Sequence, residues 1–446
     1  MLLNQHKELA RDIIKKAGQK KADTAVVSIQ YKTENEVSVR EQRIETLSQS
    51  NSKNLSLTLS VNQKKSTVSS TDFSPKAIDR LVEDAIQLAS ISGKDDFYCL
   101  PDPSELGKTD ADLDMFDAEE GRIPTEKRIA MAKEMESKML AMDKELISDG
   151  ASVSSYSGHS ILANSLGFCE GYPFSYSYLG VSCAVPDKGE GENTERKQSG
   201  YWYDYDIHFS KLESIDKIAE KAAKRTLEKR GARKPKTQTV PVIFENQVAA
   251  RFLSLIANAI SGRSIYTKQS YLVDQLNRKI AGDNITIYDN PLIPGQIGSK
   301  LYDQEGVKVS SKVVVEKGVL KTYLLDVYSA KKLNLKTTGN AGGTGNFYLE
   351  KGQYSLDELI ASIENGVLIT SLSGFGANIQ NGDYSQGAQG FWIEKGKIAY
   401  PVNEFTIAST IPTMLSTVEM IANDPLIRGS IYSPSIKIKE MTISGA

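Results

Sequence analysis

Histidine and cysteine are scarce in this chain, and each shortage narrows its chemistry. The 446 residues include only His6, His159 and His208, none within four positions of another, and only Cys99, Cys169 and Cys183, with no Cys-x-x-Cys spacing. A catalytic zinc takes about three tight protein ligands plus an open water position, so no local stretch offers a zinc site, although Glu, Asp and the scattered histidines could still converge in space. An odd number of cysteines suggests no disulfide framework and points to a reducing compartment. A charge excess is missing as well. The 54 basic and 56 acidic side chains leave a net charge of −2 and no sequence-wide attraction for nucleic acid or an anionic membrane. No apolar run approaches the ~18 residues of a membrane span, and Met1-Leu2-Leu3-Asn4-Gln5-His6 lacks the basic start and apolar core of a signal peptide. We therefore expect a cytoplasmic protein with no direct nucleic-acid or membrane partner.

What the chain has in quantity is glycine, concentrated in one stretch. Gly374, Gly376, Gly382, Gly387, Gly390 and Gly396 fall between Ser371 and Ile407, and glycine serves where φ is positive or another backbone comes close. The stretch runs into a hairpin of Phe391, Trp392 and Ile393, a tip at Glu394-Lys395-Gly396, and a return through Ile398, Tyr400 and Val402. An earlier copy reads Val313-Val314-Val315, Glu316-Lys317-Gly318, then Val319, Leu320 and Tyr323 to Leu325. Between them Thr337 to Gly345 forms a second glycine-rich loop after the helix-like Tyr328 to Leu335. Two hairpins are too few for a repeat array, so we read one antiparallel domain with both loops aimed at a common surface.

The rest of the chain gives an α+β organisation. Residues 1–100 read as an N-terminal helix-and-antiparallel-sheet domain, 101–236 as a middle helix and strand region with a linker, and 237–446 as a largely antiparallel β C-terminal domain with a few helices. Leu9, Ile13, Ile14 and Ala17 share a helical face, and Ala25, Val27, Ile29 and Tyr31, like Leu55, Leu57, Leu59 and Val61, alternate as half-buried strands. Val37 to Val39 and Ile44 to Leu47 suggest two further short strands. Ser74-Pro75 starts a helix; Thr125 to Leu146 and Leu212 to Lys229 read as two more. The Met135 and Met139 stripe at helical spacing reads as core rather than a binding groove. Ala151 to Phe209 is strand-like, with Tyr201 to Tyr205 an aromatic sheet face rather than a base-stacking platform, since no Arg or Lys is interleaved. Gly189 to Asn193 reads as an exposed turn, and the basic run Arg230 to Lys236 as a solvated helix end and linker.

Five motifs make the chain recognisable: Ser69 to Pro75 (SSTDFSP), Pro241 to Ala249 (PVIFENQVA), Asp303 to Val307 (DQEGV), Tyr328 to Gly343 (YSAKKLNLKTTGNAGG) and Gly382 to Ala408 (GDYSQGAQGFWIEKGKIAYPVNEFTIA). With their order, they make the chain resemble the TldD/PmbA family, in its PmbA (TldE) branch, over nearly its whole length. In the TldD branch the helix after Phe244 carries a His-Glu-x-x-x-His zinc motif. The aligned positions here are Glu245, Asn246 and Ala250, and Ser433 stands where that branch places a cysteine ligand. No substitute nucleophile presents itself, because Ser385 lies in no Gly-x-Ser-x-Gly elbow and no histidine follows His208. Asp303-Gln304-Glu305-Gly306 reads as a polar turn.

The resemblance implies a non-catalytic subunit of a metallopeptidase complex that degrades or processes peptides. No cofactor is expected in this chain, zinc is expected in a TldD-like partner, and a homodimer is the default for the isolated chain. The glycine-rich loops would shape the cavity or the subunit contact, with Asn340, Gly342, Gly343, Asp383, Tyr384 and Trp392 facing substrate or partner. Two other readings stay open: an autonomous homodimeric peptidase, and a protein-binding modulator of DNA gyrase, after an older description of the family.

Overall fold

Alternating apolar residues run through Thr24–Arg40 (β1) and Arg43–Val61 (β2), which pair antiparallel along almost their full length. This computed structural model describes residues 2–187 and 196–445. Val37 to Val39 and Ile44 to Leu47 are therefore not extra strands but the far ends of one long hairpin, whose tip turns at Glu41 and Gln42 with positive φ at both. The sequence hides this because polar residues such as Glu34 to Glu36 fill the half-buried middle of β1 and Gln49 to Lys53 the exposed middle of β2, where no core imposes apolar alternation.

Lys64–Ser70 (β3), Ile147–Asn164 (β4), Cys169–Asp187 (β5) and Arg196–Asp206 (β6) complete an antiparallel sheet of order β3-β2-β1-β4-β5-β6. Successive side chains leave opposite faces, and here one face is apolar and helix-covered. Leu2–Gln19 (α1) and Pro75–Ile91 (α2) pack on Val27, Ile29, Leu55 and Leu57. Thr125–Leu140 (α3) and Ile215–Leu227 (α4) pack on Val37, Val39, Val153 and Val181, with Met135 and Met139 in that core. Ser74 caps α2 by accepting from the Ala77 N–H, with Pro75 in the first turn. Helix α3 stops before the expected Leu146, because Asp143 takes the Glu145 N–H on its side chain and the Leu146 N–H on its carbonyl, closing a turn. The turn expected at Gly189 to Asn193 lies outside the described residues.

The C-terminal half continues with Gln238–Phe244 (β7), Asn246–Ala259 (α5), Gly262–Tyr266 (α6), Ile287–Asn290 (β8), Lys312–Glu316 (β9), Val319–Leu320 (β10), Val327–Leu333 (α7) and Asn346–Leu349 (β11). Then follow Leu356–Ala361 (α8), Asn365–Ser373 (β12), Asp383–Glu394 (β13), Lys397–Thr410 (β14), Ile411–Ser416 (α9), Val418–Ile421 (β15), Ile431–Tyr432 (β16) and Ile436–Ser444 (β17). One sheet has the order β14-β13-β12-β7-β17-β15, and pairing of β14 with β17 closes five of its strands on themselves. A second sheet runs β10-β9-β8-β11-β16. Only the pairs β12 with β7 and β11 with β16 are parallel among the described strands, so the half is largely antiparallel and the chain α+β. Both Glu-Lys-Gly tips turn as expected, with positive φ at Lys317-Gly318 and Lys395-Gly396. The apolar side of α5 (Val248, Phe252, Ile256) packs with Phe244, Ile369 and Ile438.

The acidic connection after Cys99 ties the halves together. Leu106 bridges Val307, and the Thr109 N–H donates to the Leu301 carbonyl at 2.9 Å.

Candidate functional site

The uncovered face of the N-terminal sheet carries hydroxyl and aromatic side chains, and loops of the C-terminal half stand opposite it. Between them lies a cavity of about 770 Å³, walled on one side by residues such as Ser28, Ser56, Tyr156 and Tyr176 and on the other by Lys300, Asp303, Gln304 and Gly342. The tyrosines stack along the sheet: Tyr176 lies over Tyr205 at 5.4 Å and Tyr178 over Tyr203 at 5.7 Å. Burial pushes the Tyr176 hydroxyl up to about 12, so this wall is neutral at ordinary pH.

The opposite wall is held by buried carboxylates. Asn340 donates to Asp289 at 2.8 Å, and the Gly345 N–H donates to the same carboxylate at 2.6 Å. Asp303 accepts from the N–H groups of Glu305, Val307 and Ala341; burial pushes its carboxyl up, against the pull of those donors. Glu305 accepts from the Val327 N–H at the start of α7, and burial raises it to about 7. The Lys300 ammonium donates to the Gly343 carbonyl at 2.9 Å and is pushed down by burial. Gly342 and Gly343 sit at φ of 84° and 101°, conformations that favour glycine. Asp303 to Gly306 is thus more than a polar turn: it frames the second glycine-rich loop.

The four positions aligned with the zinc site, three ligands and the water-activating glutamate, form no donor set. Arg225 engages both oxygens of Glu245, Asn246 donates to the Asp424 carbonyl at 2.9 Å, Ala250 has no donor atom, and the buried Ser433 hydroxyl donates to the Pro434 carbonyl at 2.9 Å. Among the described residues, no three His, Cys, Asp or Glu side chains are grouped to hold a metal ion. The residues present do not fit a catalytic zinc.

The other expected residues separate. Gly342 lines the large cavity, while Asn340 and Gly343 hold the loop behind it through Asp289 and Lys300. Asp383 is exposed at the start of β13, with Asn381 donating to it at 2.6 Å. Tyr384 is buried and lines a cavity of about 180 Å³ with Gly374. Trp392 lies in the core, stacked with Tyr400 at 6.4 Å. The two glycine-rich loops therefore line different cavities rather than one surface. Gly387 and Gly390 are strand residues of β13; a Cβ at Gly390 would meet the Leu368 carbonyl at 1.8 Å, so close strand approach is their reason.

Sequence reasoning missed Arg251 and Arg428, which line a cavity of about 360 Å³ beside Ala250. It also missed the cations that reach the aromatic run from elsewhere. Lys221, Arg225 and Arg428 all lie over the Trp202 ring, at 4.8, 5.1 and 4.2 Å. No local signal marks Arg428, which comes from 226 positions further along the chain than Trp202 (428 − 202).

Comparison with known proteins gives a consistent result along the chain. PmbA/TldA metallopeptidase domain 1 matches residues 25–89, the central domain 119–230 and the C-terminal domain 237–445. A metalloprotease PmbA homologue of Haemophilus influenzae is 35% identical over 446 aligned positions, covering 99% of this chain and 96% of that protein. A crystal structure from Bacteroides thetaiotaomicron, described as a proposed modulator of DNA gyrase, superposes with a TM-score of 0.94 at 29% identity, covering all of both chains. TldE of Thermococcus kodakarensis shares the fold with a TM-score of 0.86 at 20% identity, over 98% of this chain and 100% of that one. Among the described residues, no helix is long and apolar enough to cross a membrane.

Proposed function

The chain belongs to the PmbA/TldD metallopeptidase family, and on that premise we propose that it is a subunit without its own zinc centre, supporting peptide processing by a TldD-like partner in the cytoplasm. The observation that carries this reading is the fate of the four positions aligned with the zinc site. Glu245 is committed to Arg225, Asn246 to the Asp424 carbonyl and Ser433 to Pro434, while Ala250 offers a methyl group. Such a chain can contribute walls, cavities and contacts to hydrolysis but not the metal-bound water.

The large cavity suits that supporting role. It is polar and tyrosine-walled, with Ser28 and Ser56 on the sheet side and Gln304, Gly342 and Thr344 on the loop side, so it offers an extended peptide hydroxyl and amide side chains to bond. The test is hydrolysis of an unstructured peptide by this chain, by a TldD-like chain from the same source, and by their mixture, with co-elution on size exclusion. Cleavage that rises only in the mixture, with both chains in one peak, supports the subunit reading. Cleavage by this chain alone overturns it.

A further inference from the structure

The outer face of α5 floors two adjoining cavities. Gln247, Ala250, Arg251 and Ser254 follow one another at helical spacing on that face. The cavity of about 360 Å³ and the one of about 180 Å³ share Arg251, Ser254 and Leu372, so together they make one groove. Four buried polar atoms of its lining residues have no hydrogen-bond partner: Gln247 Nε2, Arg428 Nη1, Tyr384 Oη and Gln386 Oε1. Native proteins rarely leave such atoms without protein, water or ligand partners, and here three can donate and one accepts.

Arg428 is fixed for recognition. Its side chain is 5% exposed, with Nε 3.2 Å from Asp204 and Nη2 3.3 Å from Glu213, and its guanidinium carbon lies over Trp202 and Tyr203 at 4.2 and 5.0 Å. Only Nη1 is left over. Arg251 donates Nη1 to the Leu372 carbonyl at 2.9 Å. These two arginines are the only charged side chains lining the groove among the described residues.

We propose that this groove binds the free α-carboxylate end of a peptide. The carboxylate would take Arg428 Nη1, Arg251 and Gln247, and the terminal side chain would lie against Leu426, Ile431 and the tyrosines. Tyr384 and Gln386 offer a donor and an acceptor to the preceding peptide units. Asp204 and Glu213 already offset the charge of Arg428, so the groove suits a monoanion better than a phosphate dianion. The proposal rests on the peptide-processing reading for its choice of ligand, yet it concerns this chain alone.

The test is titration calorimetry on the full chain without a partner, using the peptide Ala-Gly-Ala-Gly-Leu with a free C-terminus, the same peptide as its C-terminal amide, and inorganic phosphate. The free acid should bind about ten-fold tighter than the amide, as loss of a charge-assisted contact of about 1.4 kcal/mol implies. Gln247→Leu, at a half-buried position, should weaken the free acid; Arg251→Gln, at an exposed position of α5, should weaken it and narrow its advantage over the amide. Arg428→Gln should do the same, and melting curves show whether it folds. Equal binding of acid and amide, no binding at millimolar peptide, or phosphate binding as tightly as the acid overturns the proposal. Carboxylate-dependent binding in a chain that never supports hydrolysis would keep this site and sink the subunit reading; the reverse result would do the opposite.

Discussion

Arg225 of α4 and Glu245 at the start of α5 meet as a two-point ion pair, Nη1 to Oε1 at 2.6 Å and Nη2 to Oε2 at 2.7 Å. The contact joins the helical layer of the N-terminal sheet to the C-terminal half and occupies both carboxylate oxygens where the zinc-bearing branch has a histidine. Its side chains are 25% and 13% exposed, so removing one partner leaves the other charge poorly hydrated. Arg225→Ala and Glu245→Ala should each lose about 2–3 kcal/mol, somewhat less than a fully buried pair. The double variant should lose less than the sum, as urea denaturation of the four proteins would show.

Asn340 is buried, and its amide donates to Asp289. Asn340→Ala should cost about 1–3 kcal/mol for the buried carboxylate left short of a donor. Asn340→Asp, which sets a second carboxylate against Asp289, should cost more and recover in part as pH falls and one of the two protonates. Thermal melts of both variants between neutral and acid pH test this; equal losses at every pH would contradict it.

Glu305 gives the loop a pH dependence of defined sign. Burial raises its carboxyl from 4.5 to about 7, so its contribution to stability is fully present below pH 4.5 and is lost as pH rises through about 7. A shift of that size corresponds to something on the order of 3 kcal/mol. Glu305→Gln cannot ionise and should lose less stability than the parent between about pH 4.5 and pH 8. Parallel slopes for parent and variant would rule the effect out.

Trp392 and Asp383 should respond oppositely to truncation. Trp392→Ala opens a cavity in the closed sheet and should cost about 3–5 kcal/mol. Asp383→Ala removes an exposed side chain whose bonds lie within its own turn, and should change stability by no more than about 0.5 kcal/mol. If Asp383→Ala nevertheless lowers hydrolysis in the mixture with a TldD-like chain, that face meets substrate or partner.

Local chemistry made much of the fold legible. Val27 and Ile29 alternate because helices cover one sheet face, Ser74-Pro75 starts α2, and the Lys-Gly pairs turn both C-terminal hairpins. The long β1–β2 hairpin was not legible, since residues without a core behind them carry no alternation. Nor was the groove over α5. Its guanidinium groups come from Arg251 and Arg428, its tyrosines from β6 and β13 and its amides from Gln247 and Gln386, and such contacts between distant segments leave no spacing to read. The glycines of β13 misled for a related reason: a Cβ excluded by a neighbouring strand and a loop with positive φ ask for the same residue.

The central claim is that this chain holds no catalytic zinc of its own. The most direct test is elemental analysis of the purified chain after incubation with excess zinc and exhaustive dialysis, with peptide hydrolysis assayed on the same sample. The account predicts well under one zinc per chain and hydrolysis at background. One tightly held zinc per chain, with cleavage abolished by Glu245→Ala, would contradict it.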